Sequence, residues 1–241
     1  MYFYKIMFTP KAPCDITDGE IERLWDYLGC LYQNGQIYKD YELVRTGDGC
    51  CAFVTTPEAD SLDKKYDNHH GSILLEQMEA GFALTTGYIG LNLSCSPVCS
   101  CDAPSWYLLY TSLLSVKGPV VCGDCGNGVP LYKLPGLMEG NYPVVNWEST
   151  YKSVDKIWFQ GLSDRFSYRQ MNSPDSQLSR DGRQISADLE QATGKPFYYY
   201  LFHYEKTGAE CPLCGRRWKR TPEGACVGLT CEACRLAADE A

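Results

Sequence analysis

The chain has 241 residues, of which 44% are hydrophobic, 22% charged and 13% aromatic. These proportions exclude a disordered tail and a mini-protein, and the length suits one large domain or two modest ones with a sizeable core. The unusual features are 14 cysteines and a formal net charge of −8. Residues 1–140 hold 9 Lys and Arg against 17 Asp and Glu, while residues 141–204 and 205–241 are each balanced, so the whole excess is N-terminal. That distribution disfavours the phosphate neutralisation on which nucleic-acid binding draws and suits a basic partner. Residues 80–101 are uncharged, but Asn92, Pro97 and many small polar residues interrupt them, which predicts no membrane span. The opening Met1-Tyr2-Phe3-Tyr4-Lys5-Ile6 lacks a basic region followed by an apolar one, so no secretory signal is expected. A reducing cytoplasm follows as the expected compartment, and there closely spaced cysteines read as metal ligands before disulfides.

Residues 2–8 are aromatic and apolar and predict a first strand. The spacing of Ile21, Leu24, Trp25, Leu28, Leu31 and Tyr32 predicts a helix from about residue 18, closed at Asn34-Gly35. Strands at 41–45 and 51–55 flank the turn Thr46-Gly47-Asp48-Gly49, and Thr56-Pro57-Glu58 reads as a helix start. A helix at 72–78 and a strand at 84–93 complete a β-α-β-β-α-β order. The fold class expected is therefore α+β, with an acidic domain at 1–93 built on a ferredoxin-like antiparallel sheet. Residues 94–140 read as a cysteine-rich strand hairpin with strands inside 106–116, followed by the Pro- and Gly-punctuated link 129–136. Residues 141–204 read as mainly helical: Trp147, Tyr151, Val154, Ile157 and Trp158 mark one face, and one or two more helices over 175–192 stop at Thr193-Gly194-Lys195-Pro196. A strand at 198–202 leads into the last segment, 205–241.

That last segment carries the strongest chemical signal. Cys211-Pro-Leu-Cys214-Gly215 and Cys231-Glu-Ala-Cys234 are two C-x-x-C knuckles at the separation of a zinc ribbon. Each knuckle turns two sulfurs toward one point, and a hairpin between them closes a tetrahedral four-thiolate site with no open position, hence a structural Zn²⁺. Cys226 falls between the knuckles out of register and reads as a spare buried thiol. A second set is less regular: Cys99 and Cys101 face Cys122-Gly-Asp-Cys125 across a stretch expected to form a hairpin, giving a second four-cysteine site with Cys95 as the alternate ligand. Its competitors are a cysteine-rich core without metal and a redox C-x-x-C, the latter disfavoured because Gly126-Asn127-Gly128-Val129-Pro130 is a poor helix start.

Several segments resemble a known family: Pro119-Val-Val-Cys122-Gly-Asp-Cys125, Val129-Pro-Leu-Tyr-Lys-Leu-Pro135, Leu178-Ser-Arg-Asp-Gly-Arg183, Tyr198-Tyr-Tyr-Leu201, Cys211-Pro-Leu-Cys214-Gly and Cys231-Glu-Ala-Cys-Arg-Leu236. The family is bacterial, described as zinc-ribbon-containing and nucleic-acid-binding, and otherwise of unknown function. The resemblance spans residues 90–237. It implies a metal site at Cys211, Cys214, Cys231 and Cys234 together with the Cys122/Cys125 pair, and it implies no activity.

Acid–base chemistry has few candidates. His69 and His70 sit in the polar run Asp67-Asn68-His69-His70-Gly71 and read as a solvated pair in a loop, and His203 as a core or rim histidine in an aromatic strand. No phosphate-cradling glycine motif opens a helix, and no carboxylate pair stands out, so no catalytic residue, nucleotide cofactor or small-molecule substrate is expected. The expected function is non-catalytic: a zinc protein whose acidic N-terminal domain docks on a basic protein through residues such as Asp15, Asp18, Glu22 and Asp26. Its concrete form is an immunity protein that plugs the basic cleft of a cognate bacterial toxin. The alternative is nucleic-acid binding through Arg216, Arg217, Trp218, Lys219 and Arg220.

Overall fold

Tyr4, Ile6 and Phe8 alternate inward along β1 (Tyr2–Pro10), which places this strand over a buried core and between two neighbours. The computed structural model describes residues 1–12, 15–94, 96–136, 140–204 and 207–240. The protein is a mixed α+β molecule of two units, Met1–Val98 with Pro130–Tyr132, and Cys99–Val129 with Lys133–Ala241. Among the described residues, no helix is long and apolar enough to cross a membrane.

In the first unit, β1 pairs antiparallel with β3 (Gly49–Thr56) and β4 (Phe82–Leu91), and β3 pairs antiparallel with β2 (Glu42–Thr46). The sheet order is β2-β3-β1-β4. Helix α1 (Asp18–Asn34) starts in a capping box, Thr17 with Glu20, and ends at Gly35 in the left-handed region. It packs Leu24, Leu28 and Leu31 on the sheet beside Leu75 and Met78 of α2 (His69–Gly81). Three expectations change here. Trp25, placed by periodicity on the core face, is 43% exposed and leans on Tyr41 at a centroid distance of 5.8 Å. His69 and His70 lie in the first turn of α2, because Asn68 caps that helix by accepting from the Gly71 amide. The helix expected from Thr56-Pro57-Glu58 does not form. Thr56 Oγ1 instead donates to the Glu58 carbonyl at 2.8 Å and the Glu58 amide to Ser61 Oγ at 2.9 Å, so side chains take the backbone groups a helix would use. Only a short 3-10 turn at Lys64–Tyr66 precedes α2.

The second unit is built on one six-stranded sheet, ordered β6-β5-β7-β10-β9-β8. Its strands are β5 (Tyr107–Leu109), β6 (Val120–Cys122), β7 (Phe197–Tyr200), β8 (Lys219–Arg220), β9 (Leu229–Cys231) and β10 (Leu236–Ala238). The cysteine-rich, helical and C-terminal segments, read separately in the sequence, thus contribute to a common sheet. The reason is topological: β5 and β7 pair in parallel, and parallel neighbours need a long crossover. That crossover is the helical segment, α3 (Tyr142–Phe159), α4 (Asp164–Asn172) and α5 (Gln177–Thr193). Helix α4 was missed because its buried residues are Ser167 and Met171, which leave no apolar stripe to read. The strand expected through 116 stops at Leu109, since Asp155 of α3 accepts from the Leu113 amide at 2.6 Å and turns the chain away.

Strand β7 is buried on both faces, as a central strand must be. Phe197 and Tyr199 are fully covered, Tyr199 facing Trp147 of α3, while Tyr198 and Tyr200 pack with Leu108, Val121, Val227 and Ala237. Helix α5 approaches closely at Gly182, where an added Cβ would lie 2.3 Å from Tyr199 Cε2 and 2.7 Å from Trp147 Nε1.

Candidate metal centres

Two groups of four cysteine sulfurs converge within the second unit: Cys99, Cys101, Cys122 and Cys125, and Cys211, Cys214, Cys231 and Cys234. In each group the sulfurs all lie within 4.8 Å of one another. All eight thiols are free. A tetrahedral centre with metal–sulfur bonds of about 2.3 Å sets neighbouring sulfurs roughly 3.8 Å apart. Cys122 and Cys101 are separated by 4.0 Å and Cys214 and Cys231 by 3.6 Å, close to that edge length and far beyond a disulfide bond. Each group could therefore hold a metal ion.

The knuckles share one backbone device. In Cys122-Gly-Asp-Cys125-Gly126, the Gly126 amide donates to the Cys122 carbonyl and the Cys122 amide to the Asn127 carbonyl, both at 2.9 Å. Cys211-Pro-Leu-Cys214-Gly215 repeats it, with Gly215 donating to Cys211 at 2.9 Å and Cys211 to Arg216 at 2.8 Å. The residue after the second cysteine must adopt positive φ to close this turn, and glycine does so without a side-chain clash: φ is 72° at Gly126 and 68° at Gly215. The third knuckle ends differently, in Arg235 at φ 49°. A non-glycine residue there costs about 1 kcal/mol. Its guanidinium makes a forked pair with Glu190 of α5, Nε to Oε2 at 2.8 Å and Nη2 to Oε1 at 2.9 Å, which ties the knuckle to the helix layer. Glu190→Gln is expected to lower stability by about 1 kcal/mol, this pair being partly exposed. Arg235→Gly is expected to come out near neutral, because relief of the backbone offsets the lost pair; urea melts of both variants check the contrast.

The other half of the first group is held by different contacts. The Cys99 amide donates to the Gly128 carbonyl at 2.8 Å, and Asp124, inside the knuckle, accepts from the amide and hydroxyl of Ser105. Those bonds hold the Asp124 carboxyl below its ordinary range. The sulfurs share protons unequally. The Arg216 amide holds Cys214 down at about 7, whereas burial pushes Cys99 and Cys234 up, and the neighbouring thiol of Cys125 pushes Cys101 up to about 11. Cys226 is half-buried beside the first knuckle, Sγ 3.8 Å from the Gly123 carbonyl, and its burial raises it to about 11. Cys95, the alternate ligand, lies outside the described residues.

The other expected residues are scattered differently. Asp15, Asp18, Glu22 and Asp26 are all exposed on the first unit, at and before α1, and among the described residues none enters an ion pair. On the second unit, Lys219 pairs with Glu232 at 2.6 Å and Arg220 with Glu240, and Trp218 is partly buried with its Nε1 turned from solvent. The basic strip thus offers Arg216 and Arg217 as unpaired cations among the described residues, half of what the sequence promised. His203 is partly buried, its Nδ1 beside Asn172 Nδ2 at 3.0 Å, and desolvation lowers its pKa. Sequence reasoning gave no role to Glu190, or to Arg235 and Gly182 although both stand inside the family-like runs. Glu190 and Arg235 meet only in three dimensions, 45 residues apart.

Residues 101–202 match the model of a domain of unknown function, DUF2310. The match takes in three cysteines of the first group and the whole helical crossover, and it ends before the second group. Two uncharacterized proteins of Haemophilus influenzae (strain ATCC 51907 / DSM 11121 / KW20 / Rd) are similar to the chain. One is 27% identical over 204 residues, 78% of each chain. The other is 28% identical over 143 residues, covering 56% of this chain and 70% of the relative. No solved structure matches the chain.

Proposed function

We propose that this is a non-catalytic zinc protein that works by binding a basic protein through its acidic first unit. Four thiolates at near-tetrahedral spacing suit Zn²⁺, and a shell filled by the protein leaves no position for substrate, so both metals are structural. On this reading the hairpin between Cys211 and Cys234 is a zinc ribbon, and the β2-β3-β1-β4 order with two crossing helices supports a ferredoxin-like first unit.

One observation carries the binding reading. Asp18, Glu22, Trp25 and Asp26 fall at the i, i+4, i+7 and i+8 positions of α1, on one face, with Trp25 exposed among unpaired carboxylates. An aromatic anchor inside a charged rim is the composition of a protein interface, where the rim steers encounter and the aromatic residue slows release. Charge supports it: residues 1–98 hold 7 Lys and Arg against 14 Asp and Glu. A toxin with a basic, substrate-attracting cleft is one partner of this kind.

The test is affinity capture of basic proteins from lysate on the wild type and on the Asp18→Lys, Glu22→Lys, Asp26→Lys triple variant. A basic protein retained by the first at low salt and lost from the second is expected. Equal capture by both would remove the reading. For the captured partner, Trp25→Ala is expected to raise the dissociation rate at least tenfold and leave the salt dependence of association intact, measured by surface plasmon resonance.

A further inference from the structure

Between α5 and the two C-terminal knuckles runs an open groove of about 830 Å³. Ala187 of α5, and Leu213 and Ala233, the third residue of each C-x-x-C knuckle, give it apolar surface, and Gln184, Gln191 and the Cys234 thiol line it as well. Its rim is cationic, from Arg180, Arg183 and Arg235. Arg235 is already engaged by Glu190, which also lines the groove, and that pair is neutral. Arg180 and Arg183 are different. Among the described residues, Arg180 Nη2 reaches the amide oxygen of Gln177, at 2.9 Å, and Arg183 Nη1 the Pro174 carbonyl, at 3.4 Å. Among the described residues no carboxylate forms an ion pair with either one. The acids nearest along the helix, Asp181 and Asp188, instead accept from the amides of Gln177 and Gln184. In a chain of net charge −8, two guanidiniums without carboxylate partners, three residues apart on one helix face and beside the Cys234 thiol, form a local site for a dianion.

We propose that this groove binds a small phosphorylated ligand, with Arg180 and Arg183 forking the phosphoryl oxygens and the mixed surface of Ala187, Leu213, Ala233 and the two glutamines receiving the body of the molecule. A guanidinium matches an oxyanion two bonds at a time, and two of them balance the charge of a phosphate ester, where a monocarboxylate would leave one unanswered. A polymeric phosphate backbone fits less well, since two free cations give little hold on it at physiological salt. The volume lies in the range of small-ligand sites. The inference is independent of the acidic face on α1.

The experiment is calorimetric titration of the full-length, zinc-loaded protein with inorganic pyrophosphate, against sodium chloride at matched ionic strength and against acetate. Pyrophosphate is expected to bind, chloride and acetate not. Arg180→Gln and Arg183→Gln should each weaken binding at least tenfold, and Arg183→Lys, which keeps the charge but loses the fork, should fall between. The Asp18, Glu22, Asp26 charge reversal should leave it unchanged, so failure here and failure of the docking face are told apart. Zinc content and far-ultraviolet circular dichroism of each variant show whether it is folded. Several results would overturn the proposal: no binding, binding equal in the glutamine variants, or a single-stranded oligonucleotide outcompeting pyrophosphate at the same arginines. It is also overturned if the glutamine variants lose zinc to a chelator faster while pyrophosphate never bound, because the arginines would then serve only to offset thiolate charge.

Discussion

Stripping metal with a chelator is expected to melt the strands that carry the knuckles while the first unit stays folded. The first unit has its own core of Ile6, Phe8, Leu24, Leu28, Leu31 and Val54, and no four-cysteine group falls within its described residues. In the second unit, β8 and β10 are two and three residues long, too short to hold a hairpin by ladder bonds alone. A structural zinc contributes on the order of 10 kcal/mol to a small module, which is comparable to the whole stability of a typical domain. Hydrogen exchange followed by mass spectrometry reads the outcome: protection of β9 and β10 collapses on metal removal, and that of β1, β3 and α1 persists. Cys211→Ser should reproduce the collapse without a chelator, and Cys125→Ser should loosen β5 and β6 first. If protein shown by elemental analysis to be metal-free keeps full protection across β9 and β10, the thiolates are not what braces this sheet.

Gly182→Ala is expected to destabilise the protein by about 1–3 kcal/mol. Helix propensity alone predicts the opposite sign, a gain of about 1 kcal/mol in a helix interior. The decision rests on space, since the new methyl would sit 2.3 Å from the Tyr199 ring and 2.7 Å from Trp147 Nε1. Neither ring can yield cheaply: Tyr199 is fully buried in β7, with its hydroxyl 3.3 Å from Ser179 Oγ, and Trp147 donates to the Leu178 carbonyl at 3.1 Å. Gly19→Ala in α1 is the control, because nothing lies within 4 Å of its added Cβ; it should be neutral or slightly stabilising. Denaturant midpoints of the two variants give the comparison, and a stabilised Gly182→Ala would mean α5 does not press on β7 as described.

Local signals were readable wherever the physics is local. Asn34-Gly35 closes α1, Gly49 opens β3 after the hairpin turn, and the knuckles are spelled out by cysteine spacing with Gly126 and Gly215 at the left-handed positions. Each of these depends on groups within a few residues of one another. Trp25 shows the limit of that logic. A three- and four-residue period marks a stripe but not its width, so the stripe's edge residue was assigned inward although the buried face centres on Leu24, Tyr27, Leu28 and Leu31. The failed helix after Thr56 shows another limit. Pro57 is a sound first helical residue, and what overrode it was a buried serine, Ser61, fixed by Tyr132 from 71 residues away.

What the amino-acid order determined by itself is therefore the chemistry and the short-range geometry: eight cysteines in pairs, turns that aim them, an acidic N-terminal half and the placement of most helices and strands. Only the tertiary structure decided that the cysteine-rich, helical and C-terminal segments share one sheet, that Arg235 meets Glu190, and that Arg180 and Arg183 stand without carboxylate partners among the described residues. The physical reason is the same in each case. Parallel strand pairing, a forked ion pair and an uncompensated charge are relations between residues tens of positions apart, and no window of sequence contains both sides of them.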